Sequence, residues 1–306
     1  MNLTASARQP ASPPDAAVDD HSIVCRQDGD SIIATVLDQV LSARQLAGLT
    51  DSLFTQHPDQ TRIEWRGEVP GGIAPVQQRE TFYQQRPWWH RAATTADDDS
   101  WTQTGDVAHP RRHPLPAGLV YERRIHALDQ TFRLHRIDPD RDLERFTRWM
   151  NDPRVSEFWE QPGPADVQRA YIDKVLADPH VDPMIASLDD QPFAYFELYW
   201  ALEDRLGPYY DAEPYDRGMH LLVGETNCLG HVHARAWINS VCHFMWLDEA
   251  RTHRLVGEPR ADNAGLLKYL ASTPGWRKVR EFDFPHKRAA LLMCDRETFF
   301  ADTHFT

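Results

Sequence analysis

The chain has 306 residues, of which 41% are hydrophobic and 10% aromatic, so it is long enough for two lobes and a sizeable core. Its formal net charge of −13 argues against nucleic-acid binding, which needs a concentrated basic surface, and favours a cationic small molecule as partner. We find no export signal and no long apolar run, and the four cysteines lack CxxC spacing. We therefore expect a reduced, cytoplasmic protein with neither a membrane nor a nucleic-acid partner.

The first 120 residues predict a tail and a small lobe without a chemical motif. Residues 1–21 are rich in Ala, Ser, Pro and Asp, and their low apolar content predicts disorder. Residues 22–120 are expected to form an N-terminal α/β lobe. Its predicted elements are strands at 22–27 and 31–37, a helix at 43–54 and a short strand at 62–65. The segment 86–116 is polar, contains prolines and lacks periodicity, which is typical of a linker or long loop.

Residues 121–306 predict a second domain of mixed α/β character. Alternating or apolar runs indicate strands, and helical periodicity bounded by Pro or Asn-Asp indicates helices. In chain order the predicted elements are a strand at 132–138, helices at 139–150 and 164–176, strands at 183–188, 193–200 and 220–224, a helix at 227–247, a strand at 253–258, a helix at 262–271, and strands at 277–284 and 289–294.

The stretch from Gly218 to Leu292 carries the most information. It begins GMHLLVGETNCLGH, an apolar strand with one histidine, His220, followed by a turn with glycines and an amphipathic helix. A second strand ends on Glu258, and Asp262-Asn263 opens the next helix. This order of parts resembles the acyl-CoA-binding half of a GNAT-type N-acyltransferase. The sequence resembles one branch in particular, the siderophore-pathway acyltransferases of the aerobactin and alcaligin type.

The resemblance implies a mixed, mostly antiparallel sheet in which two parallel strands splay apart to hold the pantetheine arm of acyl-CoA. These strands would be 220–224 and 253–258, and a backbone N–H near Leu221, Leu222 or Val223 would stabilise the oxyanion. The pyrophosphate would lie at the start of the helix 227–247, where unpaired N–H groups and the helix dipole favour anions.

Further cofactor contacts are assigned to the starts of the two helices. The usual family signature is Arg or Gln, two residues, Gly, one residue, and Gly or Ala, and this chain matches it cleanly only at Gly230. His231 follows directly, Arg235 would supply the missing charge, and Asn263 opens the second helix. The alternative for Gly230 is an ordinary turn glycine.

His220 and Glu258 are the predicted catalytic pair, because they would lie on the two strands that flank the splay. In the resembling family a histidine and a carboxylate at these positions are the proposed substrate-binding and proton-accepting groups. The alternatives are a core histidine bonded to backbone and, for Glu258, a charge that precedes the next helix. A hydroxylamine is less basic than an alkylamine, so its base need not be strong.

The acceptor site is predicted around Trp159, Glu197 and Trp200. Trp159 lies in the region where GNAT proteins place the acceptor loop, and the other two lie on the strand 193–200. Glu197 could pair with the distal ammonium of a diamine or the amino group of lysine; the alternative is aromatic packing with a solvated glutamate. The string Phe282–Arg288 is a further marker of the branch, for which the alternative is a structural turn.

The predicted function is the transfer of an acyl group from acetyl-CoA, or another short acyl-CoA, to N-hydroxylysine or an N-hydroxy-diamine, which forms a hydroxamate. The resemblance also implies an N-monooxygenase upstream and a synthetase downstream. The alternatives are a GNAT acetyltransferase of an antibiotic or polyamine, and a non-catalytic acyl-CoA-binding subunit. We expect no metal, because His231 and His233 would face different sides of one helix and, even with His243, no third ligand has suitable spacing. No GxSxG motif supports a serine triad.

Overall fold

The computed structural model describes residues 23–37, 41–70, 73–92, 100–273 and 275–302. The chain divides into two compact units, Met1–Arg79 and Glu80–Thr306. This division lies before the boundary predicted near residue 120, because the intervening segment belongs to the second unit. The predicted disordered tail, residues 1–21, lies outside the described residues.

The first unit contains a four-stranded sheet of order β1-β2-β3-β4, in which only β2 and β3 run parallel. Its elements are β1 (Ile23–Asp28), β2 (Ser31–Val36), α1 (Ala43–Gln56), β3 (Arg62–Arg66) and β4 (Val76–Gln78). A reciprocal capping box between Ser42 and Gln45 starts α1, and its buried face includes Leu46 and Phe54. The strands and the helix predicted for this region are confirmed.

A short helix, α2 (Arg79–Tyr83), crosses the division, and the remaining elements belong to the second unit. They are β5 (Trp101–Thr104), β6 (Val107–Pro110), β7 (Leu119–Ile125), β8 (Gln130–Arg136), α3 (Pro139–Met150), α4 (Pro153–Trp159), α5 (Ala165–Ala177), β9 (Val181–Leu188), β10 (Gln191–Trp200), β11 (Arg217–Val223), α6 (His231–Asp248), β12 (Arg254–Gly257), α7 (Ala264–Ala271), β13 (Trp276–Asp283), β14 (Arg288–Asp295) and α8 (Arg296–Asp302). No helix in the described ranges combines the length and apolar character needed to cross a membrane.

Eight strands of the second unit form one mixed sheet of order β13-β14-β12-β11-β10-β9-β8-β7. Every neighbouring pair is antiparallel except β11 and β12. Helices cover both faces: α3, α4 and α5 bury Phe146, Val155 and Ile172 in a cluster with Tyr195, whereas the ring of Trp237 on α6 lies 5.9 Å from Phe196. Since neighbouring strand residues face opposite sides, the two helical layers lie on opposite faces of the sheet.

Two predictions for this unit are corrected. The segment 86–116 is not a plain linker, because β5 and β6 form a hairpin within it. After α3 ends at Met150, Asp152 caps a further helix, α4, which the sequence did not predict. Pro153 occupies the first turn of α4, a position where the missing N–H of proline has no cost. The long helix begins at His231 rather than at residue 227, because residues 226–228 form a separate 3₁₀ turn.

The splay predicted between the parallel strands is present. Pairing of β11 with β12 consists of two residue pairs, Arg217 with Leu255 and Gly218 with Val256. Beyond Gly218, the stretch 219–223 remains paired with β10 on its other side. Along the described length of these strands, the edge of β11 that faces β12 therefore carries backbone groups without a partner strand. This is the feature that positions the site.

Candidate active site

His220 and Glu258 meet at the splay. His220 lies on β11 and Glu258 follows the last residue of β12, and their side chains approach within 3.1 Å, from Nε2 of His220 to Oε1 of Glu258. Across the antiparallel pair, His220 is directly opposite Glu197 of β10. The second ring nitrogen, Nδ1, lies 3.1 Å from Oε2 of Glu197. The imidazole is thus held between two carboxylates.

Three tyrosine hydroxyls complete the hydrogen bonding of these carboxylates. Tyr199, two residues after Glu197 and hence on the same face of β10, donates to Oε2 of Glu258 at 2.7 Å. Tyr195 donates to Oε1 of Glu197 at 3.0 Å, and Tyr171 of α5 donates to the same oxygen. Both carboxylates are almost completely buried, whereas 24% of the His220 side chain remains exposed. The site is therefore a buried hydrogen-bond network in which part of the His220 side chain is reachable from outside.

The network fixes the charge of its members. Burial alone would lower the pKa of His220, but the carboxylates of Glu258 and Glu197 outweigh it and raise that pKa to about 10. Burial would raise the pKa of Glu258, yet His220 and Lys287 hold it well below its usual range. The pKa of Glu197 is also lowered, against burial, by hydrogen bonds from His220 and the two tyrosines. At neutral pH the site is an imidazolium between two carboxylates.

Two further cations approach Glu258 from outside the sheet. Arg205, in the connection after β10, places Nη2 at 3.4 Å from Oε1 of Glu258. Lys287, in the turn between β13 and β14, places Nζ at 3.8 Å from the same oxygen. The string Phe282–Arg288, whose role the sequence left open, thus places Lys287 beside Glu258, the candidate catalytic carboxylate.

The predicted cofactor residues lie on β11, at the start and in the second turn of α6, and at the start of α7. Gly230 precedes α6 with φ of 101°, a conformation that favours glycine, and no side chain caps the first turn of the helix. Arg235 lies on the second turn, and its Nε is buried without a hydrogen-bond partner among the described residues. Leu222 packs into the cluster of α3 and α5, so only its backbone is available to a ligand.

The remaining four residues predicted to bind the cofactor differ in their exposure and hydrogen bonding. Leu221 is partly buried and Val223 buried on β11, within the segment that lacks a partner strand towards β12. His231 is exposed at the first position of α6. Asn263 caps α7 by accepting the N–H of Leu266 at 3.1 Å, so its side-chain oxygen is already used.

The three predicted acceptor residues divide into two groups. The ring of Trp159 lies 5.9 Å from that of Tyr195, on the face of the sheet that carries His220. Glu197 contacts His220, as described above. Trp200 is not brought to the site: it stacks between the guanidinium groups of Arg112 and Arg217, at 4.0 and 4.6 Å. Trp200 is one residue beyond Tyr199 and therefore points to the opposite face of β10.

Sequence reasoning missed Tyr171, Tyr195, Tyr199, Arg205 and Lys287. Tyr195 and Tyr199 were accessible in principle, since they alternate with Glu197 along one strand and so share its face. Lys287 lay inside a string already marked as distinctive. Arg205 and Tyr171 come from a polar connection and a helix whose approach to the site depends on tertiary packing.

His243 of α6 is buried in the core, where its ring nitrogens hydrogen-bond the Tyr121 hydroxyl and the Tyr83 carbonyl. Within the described ranges, the group with suitable ligand spacing is His109, His180 and Glu203. Arg112 donates to both oxygens of Glu203, at 2.6 and 3.0 Å, so this carboxylate is already neutralised.

A parallel pair of strands that splays beside an uncapped helix start, with an acid and a histidine at the splay, defines the class of acyl-CoA-dependent acyltransferases with the GNAT fold. Comparison with known proteins supports this class. Residues 138–284 match the family described as acetyltransferase (GNAT) domain. An uncharacterized protein from Bacillus halodurans has a similar structure, with a TM-score of 0.56 and 25% identity over 59% of this chain and 94% of that one. The aminoglycoside acetyltransferase AAC(6')-Ib in complex with coenzyme A gives 0.51 and 22% over 56% and 98%, a likeness of fold alone.

Relatives of known name are more similar in sequence. The chain is 39% identical over 272 residues to the N(6)-hydroxylysine O-acetyltransferase of Escherichia coli, covering 88% of this chain and 85% of that enzyme. It is 41% identical over 211 residues to the N(5)-hydroxyornithine:cis-anhydromevalonyl coenzyme A-N(5)-transacylase of Beauveria bassiana. That alignment covers 68% of this chain and 46% of the fungal protein, so this chain spans less than half of it. The chain belongs to the GNAT acyltransferases, in the same family as the Escherichia coli enzyme.

Proposed function

We propose that this acyltransferase uses acetyl-CoA or another short acyl-CoA to acylate the nitrogen of an N-hydroxylated lysine or diamine, which gives a hydroxamate for siderophore biosynthesis. The observation that carries the proposal is the state of the catalytic pair: Glu258 is a carboxylate hydrogen-bonded to a protonated His220. The names of the two relatives, which specify hydroxylysine and hydroxyornithine, support the acceptor class.

This pair is suited to a nucleophile that arrives neutral. An alkylammonium has a pKa of about 10.4, and a carboxylate whose own pKa is depressed is a poor base for it. The positive charges of His220, Arg205 and Lys287 would also repel an ammonium at the reacting position. An electron-withdrawing hydroxyl lowers the basicity of nitrogen, so a hydroxylamine needs a base only once attack has made its proton acidic.

The proposed reaction proceeds through a tetrahedral intermediate. The hydroxylamine nitrogen attacks the thioester carbon, and a backbone N–H of the unpaired segment Leu221–Val223 stabilises the oxyanion. Glu258 accepts the nitrogen-bound proton, the carbon–sulfur bond breaks, and coenzyme A leaves as a thiolate that takes up the proton from Glu258, which restores the carboxylate. His220 keeps Glu258 ionised and oriented, and Tyr199 holds its other oxygen.

Glu197 is assigned here to positioning rather than to substrate contact. Its two oxygens already accept from His220, Tyr171 and Tyr195, and the residue is 7% exposed. An ammonium group of the acceptor would have to displace one of these donors. We therefore propose that Glu197 fixes the ring of His220, and that Trp159 forms a wall of the acceptor cleft.

Acyl-CoA would be held by the splay and the start of α6. The pantetheine amides would bond the free edge of β11, and the pyrophosphate would meet the uncapped N–H groups after Gly230. Arg235 would contribute a positive charge that has no carboxylate partner among the described residues. His231 and Asn263 lie at the starts of α6 and α7 and would line the same site. A monooxygenase that hydroxylates the amine would supply the acceptor, and a synthetase would consume the hydroxamate.

Product identity tests the proposal. The protein is incubated with acetyl-CoA and N6-hydroxylysine, and the reaction is followed by thiol release and by the coloured ferric complex that a hydroxamate forms. We expect thiol release and ferric-complex formation in equal amounts with the wild type. With Glu258→Gln, both should proceed at no more than about one hundredth of the wild-type rate. Thiol release without the ferric complex would mean acylation at oxygen. Release with lysine or an aminoglycoside but not with the hydroxylated acceptor would place the protein among other amine acetyltransferases.

A further inference from the structure

Three positive groups converge on one carboxylate oxygen. Oε1 of Glu258 lies 3.1 Å from Nε2 of His220, 3.4 Å from Nη2 of Arg205 and 3.8 Å from Nζ of Lys287. The other oxygen, Oε2, is occupied by the hydroxyl of Tyr199. His220 makes the shortest contact with Glu258. Nη2 of Arg205 makes a longer hydrogen bond to Glu258 and lies 3.3 Å from Nε2 of His220, whereas Lys287 lies beyond hydrogen-bond distance.

The two outer cations form a small patch beside the catalytic pair. Both lie against the ring of Phe284, with Arg205 at 5.9 Å and Lys287 at 5.4 Å from its centroid. The guanidinium of Arg205 is half exposed, whereas only 18% of the Lys287 side chain is accessible. Within the described part of the chain, the ammonium of Lys287 has no hydrogen bond and no other carboxylate within 4.0 Å.

Such an arrangement is unusual in a chain with a net charge of −13. A partly buried lysine ordinarily needs a close hydrogen-bonded anion to offset its lost hydration. Burial here lowers the pKa of Lys287, and Glu258 compensates only in part. The patch therefore has the properties of an anion-binding site whose second anion comes from outside the protein.

We infer that Arg205 and Lys287 bind the carboxylate of the acceptor, so that the acceptor is an N-hydroxylated amino acid rather than an N-hydroxylated diamine. This inference rests on the proposed function and narrows its acceptor class. An arginine and a lysine on one side of the hydroxylamine site would hold a carboxylate by charge-assisted hydrogen bonds.

The neighbouring acids do not offer an equivalent site for an ammonium. Glu197 accepts hydrogen bonds on both oxygens from the network described above, and Glu258 is assigned to the proton of the reacting nitrogen. Asp204, next to Arg205, accepts the backbone N–H of Leu206 at 2.9 Å, and burial raises its pKa. The distal ammonium that both acceptors carry finds no free carboxylate among these three, so the group that gains a partner at Arg205 and Lys287 is the carboxylate, which the amino acid alone provides.

A pair of acceptors that differ only in the carboxylate tests the inference. N6-hydroxylysine and N-hydroxycadaverine are compared by kcat/KM with saturating acetyl-CoA. We expect the wild type to prefer hydroxylysine by at least ~10-fold, the magnitude of one charge-assisted hydrogen bond. Because both acceptors use the same catalytic pair, the ratio cancels any general loss of activity.

The variants Arg205→Gln and Lys287→Met should each lower this preference about tenfold, mainly through KM for hydroxylysine. Arg288→Gln is the matched control, since Arg288 lies next to Lys287 but is exposed and paired with Glu281 and Asp283. Its preference should stay within about twofold of the wild type. The amide of hydroxylysine, tested on the wild-type protein alone, should react as poorly as hydroxycadaverine, which keeps the test valid if a variant fails to fold.

Equal use of hydroxylysine and hydroxycadaverine by the wild type would overturn the inference and leave the proposed function standing. The same holds if the amide reacts as well as the acid, or if both variants keep the wild-type preference. Absence of turnover with both hydroxylated acceptors would instead overturn the proposed function itself.

Discussion

The ring of Tyr199 lies directly on Gly218, its partner across the β10–β11 pair. A Cβ placed on Gly218 would come within 2.2 Å of Cζ of Tyr199, closer than any side-chain contact tolerates. From this position the Tyr199 hydroxyl reaches Oε2 of Glu258 at 2.7 Å, and its ring lies 4.7 Å from that of His220. Gly218 is also the last residue of β11 that pairs with β12. A glycine at the start of the splay thus allows a tyrosine to orient the candidate base.

Gly218→Ala should therefore damage the site without removing any of its functional groups. The added methyl group must displace Tyr199, at a cost of about 1–3 kcal/mol typical of overpacking. We expect a lower Tm and a kcat reduced by roughly 10-fold, with acetyl-CoA affinity retained. Gly48→Ala is the control, because nothing lies within 4 Å of that Cβ position on α1. An active, fully stable Gly218→Ala protein would show that the position of Tyr199 is unimportant.

Glu258→Gln should lower kcat by about 10²-fold or more while acetyl-CoA still binds, as expected when a proton acceptor is replaced by a neutral isostere. Stopped reactions and calorimetry with acetyl-CoA measure the two quantities. Tyr199→Phe, which removes one hydrogen bond but keeps the carboxylate, should lose less. Wild-type turnover by Glu258→Gln would leave Glu258 as a structural partner of His220.

The raised pKa of His220 predicts how stability depends on pH. The ordinary value is 6.5 and the value in the folded protein is about 10, so proton uptake accompanies folding between these limits. Its stabilising contribution is complete below pH 6.5 and is lost as pH rises towards 10. The difference in Tm between wild type and His220→Gln should consequently be larger at pH 6 than at pH 10. The exposed ring of His231 supplies the control variant, His231→Gln, and a constant difference for His220→Gln would contradict the assigned charge.

We expect Arg235 to contact the phosphates of coenzyme A. Saturating acetyl-CoA should raise the Tm of the wild type, because a ligand that binds only the folded state stabilises it. Arg235→Gln should weaken binding of coenzyme A about tenfold. Arg169→Gln is a suitable control, since Arg169 is an exposed residue of α5 paired with Asp140 and Asp173. An unchanged Kd for Arg235→Gln would exclude that residue from the cofactor site, and no thermal shift with any acyl-CoA would argue against cofactor binding.

The sequence predicted the parts of the site that depend on strand order. His220 and Glu258 were paired through the resemblance to GNAT acyltransferases, which implies that the two strands carrying them flank the splay. Glu197 was found on the neighbouring strand, but its hydrogen bond from Tyr171 depends on the packing of α5, which no local pattern reveals. Trp200 was predicted at the acceptor site, but it lies one residue beyond Tyr199 on β10. A shift of one residue along a strand moves a side chain to the opposite face of the sheet. Arg205 comes from an irregular connection whose path is set by tertiary contacts, so its approach to Glu258 was not predictable.

The most direct test of the central claim is the ratio of kcat/KM for N6-hydroxylysine to that for lysine, measured with saturating acetyl-CoA at pH 7. A carboxylate base with a lowered pKa beside three positive groups should accept a proton from a neutral hydroxylamine during attack, but it should not deprotonate an alkylammonium. We predict a ratio of at least ~10², which corresponds to about 2.7 kcal/mol of transition-state discrimination. Equal values for the two acceptors would contradict the account and place this protein among acetyltransferases of ordinary amines.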